Sequence, residues 1–316
     1  LGRIEELALK LALCQGTLSP TADPAQLFIF AADHGLTEEG VSAWPSEITA
    51  QMVLNFLSGG AAANVFARTN QAWISIVDAG VASDLPDHQD LVRFGVRKGT
   101  RNAAREDALT REELQTVLEK SAALAYQAVA DGARIILLGE MGIGNTSSAT
   151  LVTHAITEIG IEQLSGPGAG LDDEGVRRKI GILEEAARRA PAPLSPEIAL
   201  RTFGGLEIAA MAGALIGAAR AGACVLVDGF IASSAALAAV AARPEAHDYV
   251  IFSHRSKEPG HHLMMEAIGA DPLIDLDLRL GEGTGALLAL PLLRCACAML
   301  TDMATFESAG VSSKES

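Results

Sequence analysis

Arg134-Ile135-Ile136-Leu137-Leu138-Gly139-Glu140-Met141-Gly142-Ile143-Gly144-Asn145-Thr146-Ser147-Ser148 decides the fold. After Arg134 comes a short, wholly apolar run with no polar alternation, as expected of a strand covered on both faces. Three glycines follow, then Asn, Thr and two Ser, small polar residues that suit a helix start. Strand, glycine-rich turn and helix, in that order, is the repeating unit of a parallel α/β sheet.

The unit recurs on both sides of this stretch. Leu27 to Ala32 ends in Asp33-His34-Gly35, and Trp73 to Val77 ends in Asp78-Ala79-Gly80. Cys224 to Val227 ends in Asp228-Gly229-Phe230, and Tyr249 to Phe252 ends in Ser253-His254-Arg255-Ser256. Helical spacing marks 4–13 through Ile4, Leu7, Leu11 and Leu13. Further helices are expected from Ser46-x-x-Thr49 to Leu57, over 61–68, from the Thr110 capping box to Asp131, and over 171–189, 206–221, 233–242 and 261–268. Residues 84–106 read as polar and irregular, Pro191, Pro193 and Pro196 as a linker-like break, and Pro272 to Arg279 as strand-like or extended. The expectation is an α/β fold: an open, doubly wound, mostly parallel sheet flanked by helices. The large α/β unit covers 25–284, and residues 1–24 and 285–316 are expected to form a small helical domain. Polar and glycine residues gather after the strands, which puts the candidate chemistry on one sheet edge.

A formal charge of −15 over 316 residues argues against nucleic acid or an anionic membrane as partner. An anionic small ligand then needs helix N-termini and a few placed cations. The four cysteines, Cys14, Cys224, Cys295 and Cys297, form no CxxC pair, so buried free thiols in a reducing cytoplasm are expected. The start at Leu1 is charged and amphipathic, with no signal-peptide pattern; without an initiator Met, a trimmed N-terminus is an expectation. The longest low-charge stretch, Ile208 to Ala242, is interrupted by Arg220 and Asp228, so it reads as buried helix, strand and helix rather than a membrane span.

Each chemical candidate has a plain structural alternative. Gly139 to Ser148 offers helix-start N–H groups and small hydroxyls to a phosphate. It also fits a turn with an Asn/Thr cap, though phosphate binding is the preferred reading, and no Lys follows the last glycine as a P-loop requires. Lys179 is a candidate phosphate cation or one more surface lysine beside Arg177 and Arg178. Ser253 to Ser256 offers hydroxyls and a cation, or a plain loop. His254, His261 and His262 lack any metal-ligand spacing, so no metal is expected. Leu280-Gly281-Glu282-Gly283-Thr284-Gly285 precedes the long apolar run Ala286 to Leu300. Glu282 there is either a first-turn acid facing the helix dipole or, with Glu140, an acid/base group lodged among glycines.

Taken together, these segments resemble one family, the nicotinate-nucleotide–dimethylbenzimidazole phosphoribosyltransferases of cobalamin lower-ligand assembly. The resemblance rests on Ala32 to Gly35, Gly40-Val41-Ser42 with Pro45 to Met52, Gly139 to Thr146, Gly166 to Asp172 with Lys179, Val227 to Phe230, Ser253 to His261 and Leu280 to Gly285. They run in order over nearly the whole chain. Members of the family usually have a somewhat longer N-terminal helical part.

The resemblance implies transfer of the phosphoribosyl group of nicotinate mononucleotide to dimethylbenzimidazole, giving alpha-ribazole phosphate and nicotinate. It makes Glu282 the general base on the azole N–H, with Glu140 stabilising the charged sugar. Lys179, Ser256 and the amides of Gly142, Gly144, Asn145 and Thr146 hold the phosphate. Pro45, Ser46, Gln51, Met141 and Leu280 line the flat base pocket, and Asp228, Gly229 and Gly281 complete the substrate-binding set. The glycines around Glu282 are expected to leave room for the azole. No cofactor is expected, and a homodimer is carried over with the family. Two other classes stay open: a non-catalytic nucleotide-binding or regulatory protein, and an NAD-dependent oxidoreductase. The last needs a ribose-binding acid about twenty residues beyond its glycine turn, where Glu158 comes only after an intervening helix.

Overall fold

The computed structural model describes residues 1–311. In chain order the elements are α1 (Arg3–Gln15), β1 (Ala25–Ala32), α2 (Glu47–Leu57), α3 (Ala62–Thr69), β2 (Trp73–Gly80), β3 (Leu91–Arg93), α4 (Arg111–Ala130) and β4 (Ile135–Met141). They continue with α5 (Asn145–Thr157), α6 (Ile161–Leu164), α7 (Asp173–Ala187), α8 (Pro196–Phe203), α9 (Leu206–Arg220), β5 (Cys224–Val227), α10 (Phe230–Ala242), β6 (Val250–Phe252), α11 (His261–Ile268) and α12 (Thr284–Asp302). Short 3₁₀ turns occupy Gly35–Glu39 and Pro244–Tyr249.

The six strands lie in the order β3-β2-β1-β4-β5-β6, and every pairing is parallel. Strand order reverses at β1, which pairs with β2 on one side and β4 on the other. This doubly wound arrangement opens its ligand crevice outside the carboxyl ends of the strands, where the order switches. Register puts Phe30 of β1 opposite Glu140 of β4, so that carboxylate stands at the switch point.

Side chains alternate between the two sheet faces, and each face has its own core. Phe28, Phe30, Ile136, Leu138, Val225 and Val227 join α4, α5, α9 and α10 on one face. Leu27, Ile29, Leu137 and Leu226 join α1, α2, α3 and α12 on the other. All eight β1 residues are buried, because both faces are covered. Helices α1 and α12, from the two chain ends, pack on each other and on this second face. Residues 312–316 of the expected terminal helical unit lie outside the described residues. Helix α12 is long and apolar enough to cross a membrane, but half of that apolar window is buried inside the protein.

Several details depart from the expectations. The stretch 84–106 holds β3, three residues held by parallel pairing to Ile76–Asp78 of β2. Three residues carry no period, so only the neighbouring strand reveals them. The proline-marked break contains α8, whose start is legible afterwards: Ser195 accepts from the Ile198 N–H, with Pro196 in the first turn. Ser46 stands at the α2 N-cap position without capping it; its Oγ lies 3.3 Å from Thr37 Oγ1 instead. Pro272 to Arg279 adds no named strand, yet Leu273 and Ile274 donate to the Phe252 and Ser253 carbonyls and extend the β6 edge. All four cysteines are free; Cys224 and Cys297 are buried, Cys14 is half-buried and Cys295 is exposed. Two positions along a helix point to different sides, which separates Cys295 from Cys297.

Candidate active site

A cavity of about 550 Å³ opens at the carboxyl ends of β4, β5 and β6. Its walls come from the loop at 41–44, Glu140 to Thr146, Pro167 to Ala169, Asp228 to Ala232, His254, Ser256 and Glu258, and Arg279 to Glu282. The size is in the range of small-molecule sites.

Glu282 has φ +62°, between Gly281 at +84° and Gly283 at +80°. Three successive left-handed residues are uncommon, and the middle one carries a side chain, a conformation disfavoured by Cβ sterics. The surrounding packing enforces it. A Cβ at Gly281 would lie 2.2 Å from Glu140 Oε1, and a Cβ at Gly139 would lie 2.6 Å from the Glu282 carbonyl oxygen. So the glycines here admit Glu140 and the β4 backbone, and not the azole expected from the sequence. The Glu282 carboxylate is buried and accepts the Ala63 N–H at 3.2 Å, at the N-terminus of α3. Its helix partner is thus α3 rather than its own α12. Burial pushes its pKa upward, the Ala63 N–H opposes this, and Asp228 adds to the rise. Its Oε1 has no protein partner among the described residues.

Asp228, at the end of β5, spends its carboxylate on this same loop. It accepts from the N–H groups of Gly283 at 3.2 Å, Gly285 at 2.7 Å and Ala286 at 3.2 Å. The His254 ring lies 3.4 Å away. Burial pulls the His254 pKa down, but the hydrogen bond and charge of Asp228 outweigh it and raise the pKa. Asp228 therefore caps α12 and fixes the segment that carries Glu282.

Glu140 accepts a hydrogen bond from the Asn145 side chain. Burial first, then the charges of Asp228 and Glu207, push its pKa up to about 8, so in the free protein it is mostly protonated at pH 7. Beneath it, His34 and Glu207 form a fully buried pair at 2.8 Å. A cavity ringed by carboxylates favours a ligand centre that gains positive charge.

The opposite wall favours an anion. Among the described residues, the N–H groups of Gly144 and Thr146 at the α5 start have no protein acceptor. Lys179 stands buried behind this wall, its Nζ donating to Thr146 Oγ1 at 3.0 Å and to the Gly166 carbonyl at 3.2 Å. Burial lowers its pKa to about 8, with Glu258 opposing. Ser256 donates its N–H to His261 Nδ1 at 2.9 Å, and His261 Nε2 lies 3.0 Å from Ser233 Oγ. Burial and the neighbouring His254 hold His261 down at about 3, so its ring is neutral and Nδ1 is free to accept.

Of the residues singled out from sequence, Glu140, Met141, Gly142, Gly144, Asn145, Thr146, Asp228, Gly229, Ser256, Leu280, Gly281 and Glu282 line this one cavity. Pro45, Ser46, Gln51 and Lys179 do not; Lys179 is buried behind the wall, Gln51 and Pro45 are exposed beside it, and their neighbours Ala43, Trp44, Ile48 and Met52 form the wall. Trp44, Glu258 and Arg279 are lining residues that the sequence reading did not single out. Trp44 carried a signal, a large aromatic beside a proline in a glycine- and serine-rich loop. Among the described residues no group of three His, Cys, Asp or Glu side chains is arranged to hold a metal ion.

Comparison with known proteins accounts for nearly the whole chain. A family model described as phosphoribosyltransferase matches residues 1–311. The nicotinate-nucleotide–dimethylbenzimidazole phosphoribosyltransferase of Dechloromonas aromatica is 48% identical, over 100% of this chain and 91% of its own length. The protein of the same name from Chloroflexus aurantiacus is 45% identical, over 99% and 90%. The crystal structure of CobT from Thermus thermophilus superposes with a TM-score of 0.95 at 44% identity, covering 98% of this chain and 93% of that one.

Proposed function

The chain belongs to the nicotinate-nucleotide–dimethylbenzimidazole phosphoribosyltransferase family, and from that premise we propose how its residues move a phosphoribosyl group. The substrates are nicotinate mononucleotide and dimethylbenzimidazole. The products are alpha-ribazole phosphate and nicotinate. The nucleotide phosphate sits against the Gly144 and Thr146 N–H groups with Ser256, and Lys179 supplies charge from behind. The azole lies between Met141, Leu280 and the 41–44 loop.

Glu282 takes the azole N–H proton. The freed ring nitrogen attacks C1′ of the ribose as the C1′–N bond to nicotinate breaks, and that bond's electron pair returns to the pyridine ring. A neutral azole that attacked with its proton in place would carry positive charge; removing the proton avoids this. The observation that carries the assignment is the Glu282 carboxylate: buried, held by one N–H, with Oε1 left over at the cavity. Its raised pKa makes it a stronger base than a surface glutamate. Glu140 loses its proton as the positively charged nicotinate ring enters, and its carboxylate then stabilises the sugar carbon as that centre gains positive charge.

We further infer that the enzyme acts in the cytoplasm as a homodimer without a cofactor, and that α1 and α12 form one terminal helical unit. Their packing on each other supports that unit. The deciding test mixes the protein with nicotinate mononucleotide and dimethylbenzimidazole and follows nicotinate by chromatography. Release with dimethylbenzimidazole is expected. Binding without release across several azoles would replace the transferase with a nucleotide-binding protein on the same scaffold.

A further inference from the structure

We propose that Trp44 is a positioning residue that ties the acceptor wall of the cavity to its phosphate wall, so that the bound nucleotide builds the azole site. The inference rests on the transferase reading above. Trp44 is 52% exposed. Its indole N–H nevertheless donates to the Ala169 carbonyl at 2.8 Å, across 125 residues of sequence. Both residues line the cavity, from different loops.

The segment that receives this bond is Gly166-Pro167-Gly168-Ala169-Gly170, three glycines in five residues with no regular structure of their own. Glu258 and Pro259 pack on Gly166, where an added Cβ would lie 2.3 Å from Glu258 Oε2 and 2.6 Å from Pro259 Cδ, and further contacts hold the segment. The Gly166 carbonyl accepts from Lys179. Gly168 packs on Thr146, so closely that an added Cβ would lie 3.0 Å from Thr146 Oγ1. Ala169 accepts from Trp44. Lys179 also donates to Thr146 Oγ1. Two of these contacts, through Lys179 and Thr146, therefore belong to the wall proposed to hold the phosphate. When the Thr146 hydroxyl turns to a phosphate oxygen and the Lys179 ammonium behind it follows, the strap reseats at Gly166 and Gly168, and the Ala169 carbonyl passes the change to the indole. The far end of the Trp44 loop is anchored, since Ser46 Oγ meets Thr37 Oγ1 at 3.3 Å. Movement therefore falls on residues 42–45, beside the face that receives a flat ring. An aromatic face left half in water is also the natural cover for such a ring.

The expected signature is synergy between the substrates. In an initial-rate matrix, saturating nicotinate mononucleotide lowers the apparent KM for dimethylbenzimidazole by about five-fold, the scale of one hydrogen bond. Trp44→Phe keeps the ring and removes the N–H, and with it the KM for each substrate becomes independent of the other. Synergy that survives in Trp44→Phe overturns the proposal, and so does a wild-type matrix without synergy. A second measurement covers a variant that fails to fold. The chain has two tryptophans, so Trp73→Phe leaves Trp44 as the sole indole. Nicotinate mononucleotide alone should lower its quenching by acrylamide; unchanged quenching overturns the proposal. No nicotinate release with any azole strikes the transferase reading instead, while the quenching measurement still tests the clasp.

Discussion

Two helix starts in this molecule look alike in sequence and do opposite work. Gly142-Ile143-Gly144-Asn145-Thr146 opens α5, and Gly281-Glu282-Gly283-Thr284-Gly285 opens α12. Both alternate glycine with another residue, both follow extended chain, and both sit at the carboxyl edge of the sheet. At α5 the Gly144 and Thr146 N–H groups have no protein acceptor among the described residues, and a cation stands behind them. At α12 the N–H groups of Gly283, Gly285 and Ala286 are all taken by Asp228. The first start is left open to a ligand anion. The second has an internal anion, so it serves as a rigid mount for Glu282. What separates the open start from the capped one is one aspartate, supplied from the end of a strand more than fifty residues upstream.

The comparison can be broken at its chemical end first. Glu282→Gln should keep the fold and both ligands and lose about two to four powers of ten in turnover, read as kcat for nicotinate release. An active Glu282→Gln enzyme would leave α12 as a mount with nothing catalytic on it, and Glu140 becomes the base to test.

The α5 side comes next. Lys179→Ala removes a buried cation and should raise the KM for nicotinate mononucleotide about ten- to a hundred-fold, on the scale of a charged hydrogen bond. A rise confined to the azole KM would move the phosphate away from α5. The same lysine gives a pH test. Burial holds its pKa down at about 8. It is charged below that point and neutral above it, so kcat/KM for the nucleotide should lose the lysine's contribution as pH rises through about 8, against the gain from Glu140 as it ionises over the same range. Lys179→Arg stays charged and should remove that limb. Glu282 works in the opposite sense: it accepts a proton only when ionised. Its raised pKa should put the acidic limb of kcat above the range of a surface glutamate.

The smallest expected effect sharpens the α12 side. Asp228→Asn weakens the cap by removing its charge and one acceptor oxygen, and should cost about 1–2 kcal/mol of stability, read as a lowered Tm. kcat should fall with it, since the Glu282 segment loosens, while the KM for the nucleotide changes less. A variant whose only change is nucleotide KM would make Asp228 a substrate ligand after all.

Five of the six strands were legible because burial favours largely apolar runs, interrupted in β2 only by Ser75 before its polar end, and their edge was legible because polar loops follow each one. β3 was not, since Leu91 to Arg93 acquires its conformation from the backbone of β2. Twelve of the cavity-lining residues were named from the chain as well. Their motifs lie in short loops whose residue types must satisfy local backbone geometry and ligand chemistry together. The wall formed by Trp44 was missed, because its meaning lies in a carbonyl 125 positions away.

By itself, then, the sequence determined the parallel α/β architecture, the functional edge and the pairing of a glutamate with glycines in the Leu280 to Gly285 turn. Those follow from periodicity, local conformational freedom and residue chemistry, which act over a few positions. Only the tertiary structure decided what the glycines make room for, which helix start stays open to an anion, and where the Glu282 carboxylate finds its N–H. Those depend on which backbone groups from distant strands have already claimed a partner. A buried N–H must be satisfied by whatever the fold brings beside it, and no window of sequence contains that neighbour.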